Sequence, residues 1–522
     1  MRRRVIVLAC LALGVTSAAC SAILGLDAPP AGDAGGPSTG DATTSDSPGE
    51  SGDASDSGAS QDGPPQPTTC ASLDAGDGSV AYYPFDQIPV DDAGDMTWEL
   101  FDPSQVSGFN VQPYYAGGAF DGRFVYFVGT GHYVLRYDTT GGGFADPTAW
   151  TGTNVSALAA FAGAVFDGRY VTLVPAVRGG VTTAIAVRYD THAQSDFSSS
   201  TSAAWEYFDL STLATDGGAP TFGFYGGVFD GRFIYFVPHS DGAPFGTVVR
   251  YDTAGSVDAG LPGEAGTPDG GDGGVADAGA SAAGFANPAL WSSFDVSTTN
   301  PAAKGFAGGV FADGAVYLVP AYNDAFEGGV NSGGSSIVAR YSANAGFGSL
   351  GSWTTFDTTR VNGLAENDYG GAFDGRHVYF VPHSTGVVSR YDTASPFGSP
   401  SAWGAYDTTR TLVLEGGATP ELVGAAFDGR FVYLVPDVSG VAPVLRYDTL
   451  SPFTSECAWS SYDPSQLGAP DGGRFGPYIG AVFDGQYLYL VPSGPTGTLF
   501  VRFLAKTPPS MPNLPAFNGS FL

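Results

Sequence analysis

The feature that most constrains this chain is a short motif, Phe-Asp-Gly-Arg followed by an alternating apolar run, seen in full at 427–436 (FDGRFVYLVP). With small changes it returns at Phe120, Phe166, Phe229, Phe311 (as Phe-Ala-Asp-Gly), Phe373 and Phe483, making seven copies. Asp-Gly between two apolar runs predicts a tight hairpin of type I′, whose central residues both need positive φ. Glycine adopts that conformation freely and aspartate tolerates it. Around the motif at 427, the pattern predicts strands over 424–428 and 430–435, with Pro436 ending the pairing because it has no donor for the ladder. A third strand over 444–448 carries Arg-Tyr-Asp, and a fourth over 459–463 begins with Trp459.

Four antiparallel strands repeated about every fifty residues are the signature of a β-propeller blade. A lone blade cannot cover both faces, so neighbours must stack in a ring, with the Trp and the Phe before Asp-Gly as packing pieces. The glycine pair before an alternating strand (Gly117-Gly118, Gly226-Gly227, Gly370-Gly371) and the later Trp resemble kelch-type repeats over residues 97–505. That resemblance implies architecture. Seven hairpins match seven tryptophans: Trp98, Trp150, Trp205, Trp291, Trp353, Trp403 and Trp459. Trp98 precedes the first hairpin, and the run 499–504 has no Trp after it. Segment 98–102 is therefore expected to supply the outer strand of the last blade, removing an open edge. The expected fold is all-β: a single seven-bladed β-propeller of four-stranded antiparallel blades, closed by an N-terminal outer strand.

Residues 1–19 read as a targeting segment, with Arg2, Arg3 and Arg4 before an apolar run too short to span a membrane. Ser17-Ala18-Ala19-Cys20 resembles a bacterial lipoprotein cleavage box, departing from it at Ser17, where Leu is usual. The resemblance implies lipidation at Cys20 and, with Ser21 next, anchoring at the outer membrane; plain secretory cleavage stays open. Residues 20–68 are rich in Gly, Ser, Asp, Ala, Thr and Pro and cannot bury enough surface to offset ordering entropy. They read as a flexible tether spanning roughly 40 Å. Cys10 would leave with the leader, so Cys70 and Cys457 remain to form a disulfide beside the closure point, or to stay as free thiols. Residues 69–96 form an N-terminal arm, in which the run 80–85 resembles the opening of laminin-G-like modules, and 506–522 form a tail.

The connections after the second strand of each blade, and those leading to the next blade, vary in length and emerge on the same face. Variable loops on a fixed scaffold are where binding sits; neutral drift is the alternative. Their Tyr content makes Tyr114, Tyr115, Tyr225 and Tyr322 ligand-binding candidates, with His239 and His383, which share the position Val-Pro-His-Ser in alternate blades. Ala321 occupies that position between them, and no third ligand follows at zinc spacing. Insertion 254–284 is a Gly/Asp/Ala tract without a calcium frame.

A net charge of −31 with only two lysines, Lys304 and Lys506, excludes nucleic acid and a polybasic membrane patch. The carboxylates recur in nearly every blade, so they read as structural, and the Arg of Arg-Tyr-Asp is expected to bond Asp or carbonyl groups between strands. No catalytic residue, metal or cofactor is assigned. The expectation is an exported, lipid-anchored, monomeric binding module for a glycan, peptide or protein. The alternatives are a polysaccharide-acting hydrolase or lyase using carboxylates or His239 and His383 at the channel mouth, or a structural envelope protein.

Overall fold

In the computed structural model, each Asp-Gly motif joins two antiparallel strands, as at Leu422–Phe427 and Phe431–Pro436. The structure describes residues 81–82, 97–107, 114–155, 160–178, 181–182, 184–193, 196–213, 222–256, 284–322, 334–412, 414, 419–437, 443–469, 473–494 and 499–507. The type I′ expectation holds at one hairpin only, where Asp313 (φ 47°) and Gly314 (φ 68°) are both left-handed. In the other six the glycine alone is left-handed, as at Gly429 (φ 105°). The aspartate side chain explains the difference. Asp428 Oδ1 accepts from the backbone N–H groups of Arg430 (2.8 Å) and Phe431 (2.7 Å), and Oδ2 accepts from the Tyr433 hydroxyl (2.8 Å). A carboxylate that holds the loop in this way lets the turn carry an extra residue without a left-handed Asp.

The third and fourth strands follow at Val444–Asp448 and Trp459–Tyr462. The fourth ends one residue before the expected boundary, at Tyr462 opposite Val444, and Asp463 caps the 3-10 turn that follows, accepting from Ser465 N (2.9 Å). The same cap follows the outer strands at Asp102, Asp209, Asp295, Asp357 and Asp407. Seven such four-stranded sheets form. We number the blades in chain order by their innermost strands: Tyr115–Phe120, Phe161–Phe166, Phe224–Phe229, Phe306–Ala312, Asp368–Phe373, Leu422–Phe427 and Tyr478–Phe483. Each innermost strand contacts the next, and the seventh contacts the first, so the ring is closed.

Blade 7 takes its outer strand from the other end of the chain: Trp98–Phe101 pairs antiparallel with Phe500–Leu504. In every blade but the second, where Thr153 takes the place of the ring, the Trp stacks on the aromatic ring three residues beyond the Trp of the preceding blade: Trp459 on Tyr406 (4.5 Å between centroids), Trp403 on Phe356 (4.4 Å), Trp353 on Phe294 (5.1 Å) and Trp291 on Phe208 (4.9 Å). The closing strand obeys the same rule twice, Trp98 on Tyr462 (4.8 Å) and Trp150 on Phe101 (4.2 Å). The indole N–H groups of Trp150, Trp291, Trp353, Trp403 and Trp459 donate to the carbonyl of a Phe six residues earlier.

Blades 1, 2, 3, 5 and 6 carry two arginines, one after Asp-Gly and one in the third strand, and these divide the work differently from the expectation. The third-strand Arg crosses to the next blade and donates to a tyrosine hydroxyl in Arg136 to Tyr189 (3.3 Å), Arg188 to Tyr251 (3.0 Å), Arg390 to Tyr447 (3.2 Å) and, from Arg-Phe-Leu in blade 7, Arg502 to Tyr137 (3.2 Å), whereas Arg340 donates to Tyr317 of its own blade (3.2 Å). Its guanidinium is planar and weakly hydrated, which suits the slot between aromatic rings, as with Arg136 at 4.1 Å from both Phe124 and Phe197. The Asp partner goes instead to the Arg after Asp-Gly, through bidentate pairs such as Arg376–Asp392 (2.9 Å) and Arg430–Asp448 (2.8 Å).

These two pairs differ in exposure, with side chains 67% and 20% accessible in the first and 9% and 3% in the second. Arg430→Ala is expected to destabilise the protein by about 3 kcal/mol, because it strands Asp448 in the interior. Arg376→Ala should cost less than about 1 kcal/mol. Chemical denaturation of both variants checks the contrast, and equal losses would refute the burial argument.

The glycine pairs set the shape of the channel wall. Gly226 is left-handed (φ 79°) in a bulge between Phe224 and Gly227, and a Cβ on Gly227 would lie 2.6 Å from the Val165 methyl of the preceding blade. Bulges re-aim side chains. Here the first residue of each innermost strand packs between blades and the second faces the channel mouth. Beyond blade 7, Ala81–Tyr82 of the arm pairs with Lys506–Thr507.

Candidate functional site

Two positions in each blade meet at the mouth of the channel on the variable-loop face: the second residue of the innermost strand, and the residue after the Pro (Gly129 in blade 1) that ends the next strand. In blades 1, 2 and 4 the second residue is alanine (Ala116, Ala162, Ala307), and in blades 6 and 7 it is Val423 and Ile479. Blades 3 and 5 place Tyr225 and Tyr369 there. The other position reads Thr130, Ala176, His239, Ala321, His383, Asp437 and Ser493 around the ring. Blades 3 and 5 therefore each carry a Tyr–His pair, and blade 4 between them carries two alanines.

The small blade 4 lets the flanking pairs meet. Tyr225 packs on His239 (4.9 Å between centroids) and Tyr369 on His383 (4.7 Å), and Tyr225 meets Tyr369 edge to face at 6.1 Å. Tyr322 closes the group, lying edge-on to His239 at 4.9 Å over Ala307 and Ala321. The structure thus brings Tyr225, Tyr322, His239 and His383 together as one cluster and adds Tyr369 and Asp437, which sequence reasoning missed. Aligning the repeats column by column would have found both, since each departs from its column.

The two imidazoles have different surroundings. His239 Nδ1 lies 2.8 Å from the Phe306 carbonyl, which can only accept, so Nδ1 carries the proton. Nε2 then accepts from the Tyr322 hydroxyl at 3.3 Å. Burial pushes the His239 pKa down to about 4, against a smaller raising effect of the Phe306 carbonyl, so the ring is neutral at physiological pH. His383 is half-buried, with Nε2 3.4 Å from Asp437 Oδ2.

Beside the cluster, on the side where the wall residues are small, lies a cavity of about 280 Å³. Its wall includes Ala116, Ala162, Ile479, Tyr225 and Phe161, and its polar groups are Thr130, His239, Ser240 and Ser493. None of its lining residues is Asp, Glu, Lys or Arg. The other candidates take different places. The Tyr115 ring is core, 1% exposed and edge-on to Phe500 across the blade 7–blade 1 seam, and only reaches the cavity wall. Tyr114 uses its backbone carbonyl to accept from Thr130 N (2.9 Å).

Asp368 breaks a third column. It pairs with Pro382 where the other blades place Tyr115, Phe161, Phe224, Phe306, Leu422 and Tyr478. It is fully buried, neither carboxylate oxygen has a hydrogen-bond partner, and desolvation, then the nearby Glu366, raises its pKa well above the usual range. Its neighbour Asn367 is left-handed (φ 60°).

Cys457 is disulfide-bonded; Cys70 and Cys20, with the leader, the tether and most of insertion 254–284, lie outside the described residues. Among the described residues no group of three or more His, Cys, Asp or Glu is placed to hold a metal ion, and no helix is long and apolar enough to cross a membrane.

No family model matches the chain, and no curated relative matches it. Among solved structures it is similar to a streptogramin B lyase (TM-score 0.46, 11% identity, covering 78% of this chain and 97% of that one). It is also similar to a virginiamycin B lyase from Staphylococcus aureus (TM-score 0.42, 10% identity, 78% and 98% covered). A third is the extracellular domain of a one-component system from B. thetaiotaomicron (TM-score 0.45, 10% identity, 78% and 43% covered). At such identities and scores these likenesses carry no argument about chemistry, and the fold rests on the strand pairing itself.

Proposed function

We propose that the protein is an exported binding module, carried on a tether from Cys20, that takes its ligand at the channel mouth on the variable-loop face. One observation carries this reading. The mouth is where a nearly seven-fold molecule stops repeating, and the residues that depart (Tyr225, His239, Tyr369, His383, Asp437) share one rim beside a cavity. Repeated carboxylates cap turns and pair with arginines, whereas the departing residues leave aromatic and imidazole surface partly open, the kind of surface that anchors ligands. His239 has both ring nitrogens committed within the protein, which favours recognition over proton transfer at that residue.

The second reading is a polysaccharide-acting hydrolase or lyase, and His383 beside Asp437 favours it as an imidazole–carboxylate pair within reach of the mouth. The purified full chain, screened on glycan arrays and in pull-downs, separates the two. Tyr369→Ala is expected to weaken ligand binding at least about tenfold, or about 1.4 kcal/mol. Arg232→Ala, an exposed residue of an Asp-Gly turn, should leave binding unchanged. Binding that follows Arg232 and ignores Tyr369 would sink the proposal. Turnover lost in His383→Ala with binding kept would establish the enzyme reading.

A further inference from the structure

We infer that the cavity at the mouth takes an uncharged polyhydroxylated ring, one unit of a neutral saccharide, laid against Tyr225 and the small wall of blades 7, 1 and 2. The inference rests on the reading of the mouth as the binding site and names its ligand class. Three features of the wall argue for it.

First, the lining carries no ionised side chain, in a chain with 52 Asp and Glu against 21 Lys and Arg. An ionic ligand gains affinity from paired charge and loses it when desolvated without a partner. Here a carboxylate, phosphate or ammonium group would enter an uncharged wall. His239 does not supply a charge either, being held neutral with both nitrogens used.

Second, the polar groups that are present belong to the chemistry of hydroxyls. Thr130, Ser240 and Ser493 each both donate and accept, and they stand on blades 1, 3 and 7, spaced around the opening. Thr130 donates to the Tyr114 carbonyl (3.3 Å) and Ser240 accepts from Gly242 N (3.2 Å), so each keeps hydrogen-bonding capacity that a hydroxylated guest can use and a purely apolar one cannot. A sugar ring presents hydroxyls at its edge and C–H groups on its face, so one ligand satisfies the rim and the Tyr225 ring together.

Third, the room is limited. The volume of about 280 Å³ falls just below the range of sites for drug-sized ligands, which begins at about 300 Å³, so the cavity receives one ring. The rest of a chain would leave over the rim past Tyr369 and His383.

The test is calorimetric titration of the full chain with three probe sets: neutral maltohexaose, cellohexaose, mannohexaose and chitohexaose; anionic oligogalacturonate; and cationic chitosan oligomers. The wall is probed with Ala162→Phe. This substitution fills the cavity at a column position where blades 3 and 5 already carry tyrosine, so the backbone accepts an aromatic there. Ser493→Ala is the milder second variant, removing one rim hydroxyl.

The expected result is binding of at least one neutral probe, weakened at least about tenfold by Ala162→Phe (about 1.4 kcal/mol or more) and about threefold by Ser493→Ala (about 0.7 kcal/mol). The melting temperature of both variants should stay near that of the parent. Affinity should be flat between pH 5 and 8, since no lining group titrates there. Preferential binding of a charged probe, still abolished by Ala162→Phe, would overturn the saccharide assignment and leave the mouth as the site. A neutral probe whose affinity ignores Ala162→Phe would overturn the mouth itself. Failure of every neutral probe would overturn the ligand class.

Discussion

Replacing Asp368 by leucine is expected to stabilise the protein by about 1–3 kcal/mol, the reverse of what most core substitutions do. The position is an apolar column: six blades fill it with Phe, Tyr or Leu between neighbouring sheets. Asp368 puts there a carboxyl with no partner on either oxygen and no exposure. Its folded pKa is raised by desolvation first and Glu366 second, which fixes the sign of the pH effect. Below the unfolded-state value of about 4 the group is protonated in both states and costs least. As pH rises from there toward the folded pKa, the unfolded state releases a proton that the folded state keeps, and stability falls.

Asp368→Asn isolates this effect. Its advantage over the parent should be near zero below about pH 4 and should grow as pH rises. Comparing the two proteins at each pH cancels the opposite trend from paired aspartates such as Asp392, whose pKa is lowered, chiefly by the Arg376 hydrogen bond. Denaturant titrations at pH 4, 6 and 8 measure it. An Asn variant that is less stable at every pH would show that the carboxyl has a role the static packing does not reveal. The site beside it gives that outcome a meaning, because Asn367 is strained and Tyr369 belongs to the rim, and such departures from local rules gather at functional sites.

The second large effect concerns closure. Trp98→Ala and Phe101→Ala should each destabilise by about 3–5 kcal/mol, as large-to-small changes of buried aromatics do. Trp98 is 1% exposed and Phe101 2% exposed. One stacks on blade 6 and the other receives the Trp of blade 1, so a strand of four residues spans two seams. Glu99 adds an ion pair to Arg502 (2.6 Å), and Leu504 N donates to Thr97 O (2.7 Å). Either substitution leaves a gap in the strand that completes blade 7. Thermal melts of both variants, against Leu364→Ala on the exposed surface as a control, check the size of the loss.

Most of the architecture was legible because the repeat writes it seven times. The Asp-Gly hairpins, the Trp on each outer strand and the displaced Trp98 name the blades, their number and the joint between the chain ends. The turn type was not legible, since Asp428 works through its side chain rather than its φ. The arginines were misassigned because the cross-strand register and the neighbouring blade decide their partners: Asp392 lies opposite His377, next to Arg376, whereas Arg390 lies opposite Tyr379. Arg390 thus reaches the next blade while Asp392 meets Arg376.

The rim was half legible. His239 and His383 stood out through their shared position, but Tyr369 and Asp437 show only when the blades are superposed. Asp368 reads as an ordinary loop aspartate until its column is known to be apolar. Tyr114 and Tyr115 were chosen by composition, and Tyr115 went to the core, where aromatic rings of that column belong.

The account stands on a ring closed by residues from both chain ends, because only closure places blades 7, 1, 2 and 3 around one mouth. Amide hydrogen exchange read on peptides covering 98–101 and 500–504 tests this most directly. The account predicts that 98–101 exchange as slowly as an interior outer strand such as Trp403–Asp407. It also predicts that Phe101→Ala accelerates 98–101 and 500–504 together. Fast exchange of 98–101 in the parent protein, beside a protected 500–504, would contradict it.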